Sequence, residues 1–196
     1  MRKTVRSLFG FVVGLCAFVV LHEGLHVVFA SIFGEYRGIR IVWAGPIPFG
    51  IEVLMQSALE DVSGPEWILI SGASNLATLA VGYVLFLSRD KLARAPHVLV
   101  KAIWFHATLI FMLIDGFNLS IGPFFYGGDV QGIARGLGGG QRAIQIVFLA
   151  VFLLNRELVA QKVLPAYGVS TRHPLFVPWL RLHRRRGKDT QSETPK

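Results

Sequence analysis

The sequence predicts an all-α polytopic membrane protein, with about four transmembrane helices and a short membrane-associated β-hairpin after the first. Three observations predict it. Of 196 residues, 53% are hydrophobic and only 16% are charged, where soluble domains carry about 25% charged residues, and the mean hydropathy is +0.52. Charge is absent from several long stretches and crowded at the C-terminal end. Those uncharged stretches approach the roughly 20 residues that a helix needs to cross a bilayer. The single Cys16 excludes a disulfide-stapled module and a Cys-based zinc finger. The formal net charge of +8 raises nucleic acid as a partner, but in a chain this apolar, cationic loops facing anionic lipid headgroups account for it. The expected partner surface is therefore the lipid bilayer, not nucleic acid, and the expected location is the cell (plasma) membrane, crossed several times.

The first span covers about residues 7–33. Ser7 to Leu21 holds no charge, and apolar character resumes from Val27 to Phe33 after a short polar interruption. Arg2, Lys3 and Arg6 precede it as they would a signal peptide, yet the apolar run continues past the point of cleavage, so it reads as a retained helix. Gly10 and Gly14 form a GxxxG face suited to close packing inside the bundle. Next, the runs 39–43 and 49–54 flank Gly45-Pro46-Ile47-Pro48 and predict a hairpin over about 37–56. It must lie at the interface or against the helices, because open strand edges facing lipid are prohibitive. The second span, about 66–88, is bounded by Glu66 and Arg89. The third, about 98–117, carries Lys101, His106 and Asp115.

Leu119 to Gly128 is rich in Gly, Pro and aromatics, and reads as irregular backbone that must line a cavity or be buried in protein. Gly136 to Gly140 is a joint, not a phosphate loop, because Gln141 follows where such a loop needs Lys. The fourth span covers about 141–164. Residues 1–164 thus form one integral membrane domain, and 165–196 a basic, partly disordered tail resting in solvent or on headgroups. Trp43, Trp67, Trp104 and Trp179 fall near span ends or the hairpin, where interfacial anchoring is expected.

The chemistry centres on His22-Glu23-Gly24-Leu25-His26. Two histidines at i and i+4 share a helix face, so both imidazoles can reach one metal ion, and the intervening Glu23 can act as general base on an activated water. Three ionisable side chains inside a membrane span cost several kcal/mol unless they face a polar cavity or a metal. A catalytic zinc needs a third protein ligand and an open position. Asp115, Asp129, His97, His106 and the acidic residues of the hairpin region are the candidates.

These residues bring a family into view. The chain resembles the site-2 protease family of intramembrane zinc metalloproteases, whose members have HExxH in a membrane helix, an apolar β-hairpin after it, a Gly-Pro-x-x-Asn motif and a distal Asn-x-x-Pro-x-x-x-x-Asp-Gly motif. Here the third feature is similar to Gly72-Ala73-Ser74-Asn75, with Ala for Pro. The last is similar to Asn118, Pro123 and Gly128-Asp129, with longer spacings and Val130 in place of the final Gly. The resemblance implies zinc held by His22, His26 and Asp129, with Glu23 catalytic and a transmembrane protein as substrate. It also implies that Asn75 and Asn118 line the substrate path, although amides on apolar segments also serve simply to bond helices together. Asp115 remains the rival third ligand, or a carboxylate hydrogen-bonded to a neighbouring helix or to groups surrounding the site. His106 is expected in helix packing and Lys101 snorkelling to an interface.

Two other classes stay open: a zinc-binding membrane protein that hydrolyses nothing and acts as chaperone or assembly factor, and a metal-free proton-relay or transport protein. Sidedness is contested as well. Basic residues at the start, at Arg89, Lys91 and Arg94, and in the tail favour both termini in the cytoplasm, which sends HEGLH toward the far end of its span. The resemblance implies a metal nearer the cytoplasmic face.

Overall fold

The computed structural model describes residues 3–58, 61–126 and 128–180. Gly127 and the basic residues 181–196 lie outside the described residues. The elements in order are α1 (Lys3–Ile32), β1 (Tyr36–Ala44), β2 (Ile47–Met55), α2 (Glu66–Leu87), α3 (Arg89–Leu92), α4 (Val98–Ser120), α5 (Pro123–Tyr126), α6 (Asp129–Gly136) and α7 (Gln141–Leu158). A π-helical turn, Val159–Val163, carries α7 into the short α8 (Leu164–Ala166), and a 3-10 turn follows at Pro174–Phe176. Four helical stretches, Lys3–Ile32, Glu66–Leu87, Val98–Ser120 and Gln141–Ala166, are long and apolar enough to cross a membrane.

Helix α4 is the axis of the bundle, and glycines let three neighbours approach it. A Cβ on Gly10 of α1 would lie 2.6 Å from the carbonyl oxygen of Ala102, one on Gly82 of α2 would lie 2.6 Å from that of Phe111, and one on Gly116 of α4 itself would meet Phe152 of α7 at 3.0 Å. The GxxxG face of α1 is thus spent inside the bundle, as its spacing predicts, since small residues allow backbones to close when lipid supplies no hydrophobic drive. His106 joins the same seam, with Nε2 at 3.2 Å from Ser7 Oγ and Nδ1 donating to Ala102 O at 2.9 Å.

The pairings also set directions. Gly14 of α1 packs at Ala107 of α4, Phe18 stacks edge-on to Phe111, and His22 faces Asp115, so α1 and α4 run parallel. Thr78 meets Asp115 while Gly82 meets Phe111, so α2 runs antiparallel to them. Gln145 reaches Ser120 while Asn155 reaches Met112, so α7 does likewise.

The hairpin pairs Tyr36 with Met55, Arg40 with Glu52 and Ala44 with Ile47, with an irregularity between Val42 and Trp43. Its turn is tighter than the four-residue Gly-Pro-Ile-Pro expectation. Gly45, at φ 62°, takes the left-handed first position and Pro46 the second, which suits a two-residue turn. Glu35 pins the other end: its carbonyl accepts Gln56 N–H at 2.7 Å, and its carboxylate accepts Ser57 N–H and Oγ–H at 3.0 Å each. Tyr36 and Met55 pack on a cluster of Ala30, Val62, Trp67 and Ile70. Trp67 is therefore core and not an interfacial anchor, being only 4% exposed.

One further expectation changes. The stretch 119–128 is less irregular than its composition suggests: α4 runs on to Ser120, Phe117 O accepts the N–H groups of Ile121 and Gly122, and Pro123 opens α5, at a position where its missing N–H costs nothing. The start of the C-terminal tail is also held. Arg156, fully buried, donates to the carbonyls of Pro174, Leu175 and Val177 and stacks 4.0 Å from the Trp179 ring. Glu157 accepts the N–H groups of Trp179 and Leu180.

Candidate metal centre

His22 and His26 are presented by successive turns of α1, both buried. Each ring is oriented from its Nδ1 side. His26 Nδ1 lies 2.6 Å from the carbonyl oxygen of Ile70, an acceptor only, so Nδ1 carries the proton and Nε2 is bare in the neutral ring. His22 Nδ1 lies 3.3 Å from Asp115 Oδ1. Neither of these two buried atoms has a hydrogen-bond partner elsewhere among the described residues, so the contact pairs them. Thr78 Oγ1 donates to the other Asp115 oxygen at 2.5 Å. Phe18 stacks on the His22 ring, centroids 5.3 Å apart.

Asp129 arrives from the other side. Gly128, at φ 99°, takes a backbone conformation open to glycine and turns the chain into α6, whose first residue is Asp129. Gly132 lets α6 close on α2, since a Cβ there would overlap Ser71 Oγ. Asp129 Oδ2 then accepts from Asn75 Nδ2 at 2.8 Å and from Asn118 Nδ2 at 3.2 Å. Burial alone would raise this carboxyl; with both imidazoles protonated and no ion among them, the charge of His26 and hydrogen bonding from both rings outweigh burial and hold it well below the ordinary carboxylate range.

The three donors converge. His22 Nε2 and His26 Nε2 are 3.2 Å apart, His22 Nε2 is 3.3 Å from Asp129 Oδ2, and His26 Nε2 is 3.3 Å from Asp129 Oδ1. Donors on a tetrahedron around zinc, with bonds of roughly 2.0–2.1 Å, stand about 3.3–3.4 Å from one another. Two bare imidazole nitrogens and a carboxylate facing each other at this range repel unless a cation lies among them, so the residues fit a metal ion by spacing, by donor type and by the orientation of both rings. His22, His26 and Asp129 lie close enough to hold one metal ion. Asp115 does not join them; it stands behind the His22 ring, on its Nδ1 side.

The donors open onto a cavity of about 630 Å³, lined also by Glu23, Asn118 and the β2 residues Gly50 to Val53. No family model, curated protein or solved structure matches the chain. The site residues named from sequence are nonetheless brought together by the fold: Glu23 and Asn118 at the cavity wall, Asn75 fully buried behind Asp129. His97 is exposed and stands apart.

On α2 the sequence points to Asn75 but not to the roles of Ile70, Ser74 and Thr78. Ile70, Ser74 and Thr78 lie on one face at successive turns. Ile70 O orients His26, Ser74 Oγ is 3.0 Å from His26 Nε2, and Thr78 holds Asp115. The signal was present as a polar stripe, Ser71-Ser74-Asn75-Thr78, in an otherwise apolar span.

Proposed function

We propose that the chain is an intramembrane zinc metalloprotease of the site-2 protease type, hydrolysing peptide bonds of membrane-embedded proteins. The observation that carries this reading is the triangle of His22, His26 and Asp129 donors at 3.2–3.3 Å, facing a cavity that Glu23 also lines. A zinc ion held there supplies Lewis acidity to a water and to a scissile carbonyl. Glu23 accepts a proton from the attacking water as its oxygen bonds to the carbonyl carbon, and delivers that proton to the amine nitrogen as the C–N bond breaks. Asp115 and Ile70 O hold the two imidazoles in the tautomer that leaves Nε2 available. Asn75 and Asn118 fix the Asp129 carboxylate. The Asn118 amide, at the wall, is the one of the two that a bound substrate reaches.

An intact substrate helix hides its carbonyls in hydrogen bonds, so it must be extended to be cut. Strand β2 lines the cavity, and its backbone offers the pairing by which an extended segment would be held across the site. Metal analysis and a cleavage assay test the reading together. The purified protein should carry stoichiometric zinc and cut a co-expressed membrane substrate, and Glu23→Gln should keep the zinc and lose the cutting. Zinc without cleavage in the unaltered protein would favour the silent binder, and absence of zinc the proton relay.

A further inference from the structure

The chain carries 20 Lys and Arg against 12 Asp and Glu, yet its metal cavity reverses that balance. Among the described residues lining it are three carboxylates, Glu23, Glu52 and Asp129, and no Lys or Arg. Asp129 belongs to the metal triangle and Glu23 to the attacking water. Glu52 has a part in neither, although it lies close enough to Glu23 for their charges to interact. It meets Arg40 directly across the hairpin at 2.5 Å, with both side chains largely exposed. Exposed pairs of this kind contribute little to stability, so bracing of the hairpin does not account for a carboxylate at the cavity wall.

Four consecutive residues of β2, Gly50 to Val53, border the cavity. A strand seen face-on offers every second residue, so the cavity runs along the edge of β2. Strand β1 holds the other edge, in a sheet of two strands. Side chains directly opposite one another in a sheet lie on one face with Cβ atoms about 4.5–5.5 Å apart, and opposite charges placed there attract. Arg40 holds that place beside Glu52 on the β1 side. A segment added along the open edge brings a residue of its own to the matching place. A Cβ on Gly50, two residues before Glu52 and on the same face, would meet nothing within 4 Å, so a long side chain has room beside the carboxylate.

We propose that Glu52 is a specificity-determining residue, and that the cavity takes an extended membrane segment whose Lys or Arg side chain lies against the Glu52 carboxylate. Long basic side chains near the ends of membrane helices reach toward the interface. The substrate class is then membrane spans cut beside such a basic flank. The charge preference stands on the cavity and the strand edge; only its consequence for cleavage rests on the proposed protease activity.

Binding without turnover tests it. Leucine–alanine membrane peptides, identical except for Lys, Gln or Glu at one position stepped along the segment, are titrated against the zinc-loaded Glu23→Gln protein in nanodiscs. At one register the Lys peptide should bind about 2–5-fold more tightly than the Gln peptide, and the Glu peptide less tightly. Glu52→Gln should erase the ranking, and Arg40→Gln should keep or widen it. The exchanged pair, Arg40→Glu with Glu52→Lys, should invert it while preserving the ion pair, an outcome that misfolding cannot produce. No ranking in the Glu23→Gln protein, no binding of any peptide, or an unchanged ranking in the exchanged pair would overturn the proposal. So would erasure by Arg40→Gln, which makes the pair a brace of the hairpin. The same peptides offered to the unaltered protein separate the two claims. Lys-selective binding without cutting contradicts the protease activity alone, and cutting that ignores the charge contradicts the proposal alone.

Discussion

The Asp115 carboxylate stands 3.3 Å behind the Nδ1 of His22, anchored by Thr78, and so fixes which nitrogen of that ring faces Asp129. Removing its charge should weaken metal binding without abolishing it, because no donor is lost. Asp115→Asn should lower zinc affinity by roughly 10–100-fold, read by competition with a chelator of known affinity. Asp129→Ala removes a donor and should cost far more. If Asp115→Asn strips the metal while Asp129→Ala retains it, the ligand assignment is reversed.

Asn75 and Asn118 give a sharper separation. Both donate to Asp129 Oδ2, but Asn75 is fully buried whereas Asn118 lines the cavity. Asn75→Ala leaves a buried carboxylate oxygen without its closest donor and should lower zinc affinity, with KM for a membrane substrate unchanged at saturating zinc. Asn118→Ala should change KM as well. Equal KM effects from the two variants would return Asn75 to the substrate path.

The approach of α2 to α4 should tolerate no side chain at Gly82, because the atom a new Cβ meets at 2.6 Å is the Phe111 carbonyl oxygen, part of the backbone. Overpacking of this kind costs about 1–3 kcal/mol or more. Gly82→Val should lower the thermal unfolding midpoint in detergent. A Leu76→Val control, at a residue 61% exposed on the same helix, should leave it nearly unchanged.

Arg156 is fully buried, and its guanidinium is shared between Glu157 and three carbonyls of the segment 174–177. Arg156→Met leaves Glu157 buried without its countercharge, a loss of about 3–5 kcal/mol for a broken buried pair. It should also release the segment that ends at Leu180. Limited proteolysis checks this: cleavage between 169 and 180 should accelerate in the variant, and an unchanged digest would contradict the strap.

How much of this was legible in the sequence follows from the range of the interactions. His22 and His26 are four residues apart on one helix, so periodicity alone places them together. The hairpin and the span limits are equally local, being set by Gly45-Pro46 and by where charge stops. Asp129 came from the resemblance in its distal motif, since the turn at Gly128 that folds it back has no periodic signature. The pairing of His22 with Asp115 spans 93 positions and depends on α1 and α4 being parallel and in register through Gly10 and Gly14, which no single-helix pattern encodes. Arg156 and Glu157 fall inside the fourth span as the sequence bounds it, about 141–164, and nothing local marks their burial, because adjacent opposite charges look the same whether solvated or buried under a strap. Trp67 carries no distinguishing signal for a related reason: a tryptophan at a helix start has the same local sequence whether it meets headgroups or the Ala30–Ile70 cluster.

The central claim is that Glu23 and the His22–His26–Asp129 centre add water across a peptide bond within the membrane. Reconstitution of the zinc-loaded protein with a transmembrane peptide in vesicles prepared in ¹⁸O-labelled water, followed by mass spectrometry of the products, tests it most directly. The product should carry ¹⁸O in the newly formed carboxylate, and the rate should fall by about 10²–10⁴ for Glu23→Gln at equal zinc content. Products at an undiminished rate from Glu23→Gln, or none from the unaltered protein with its zinc in place, would contradict it.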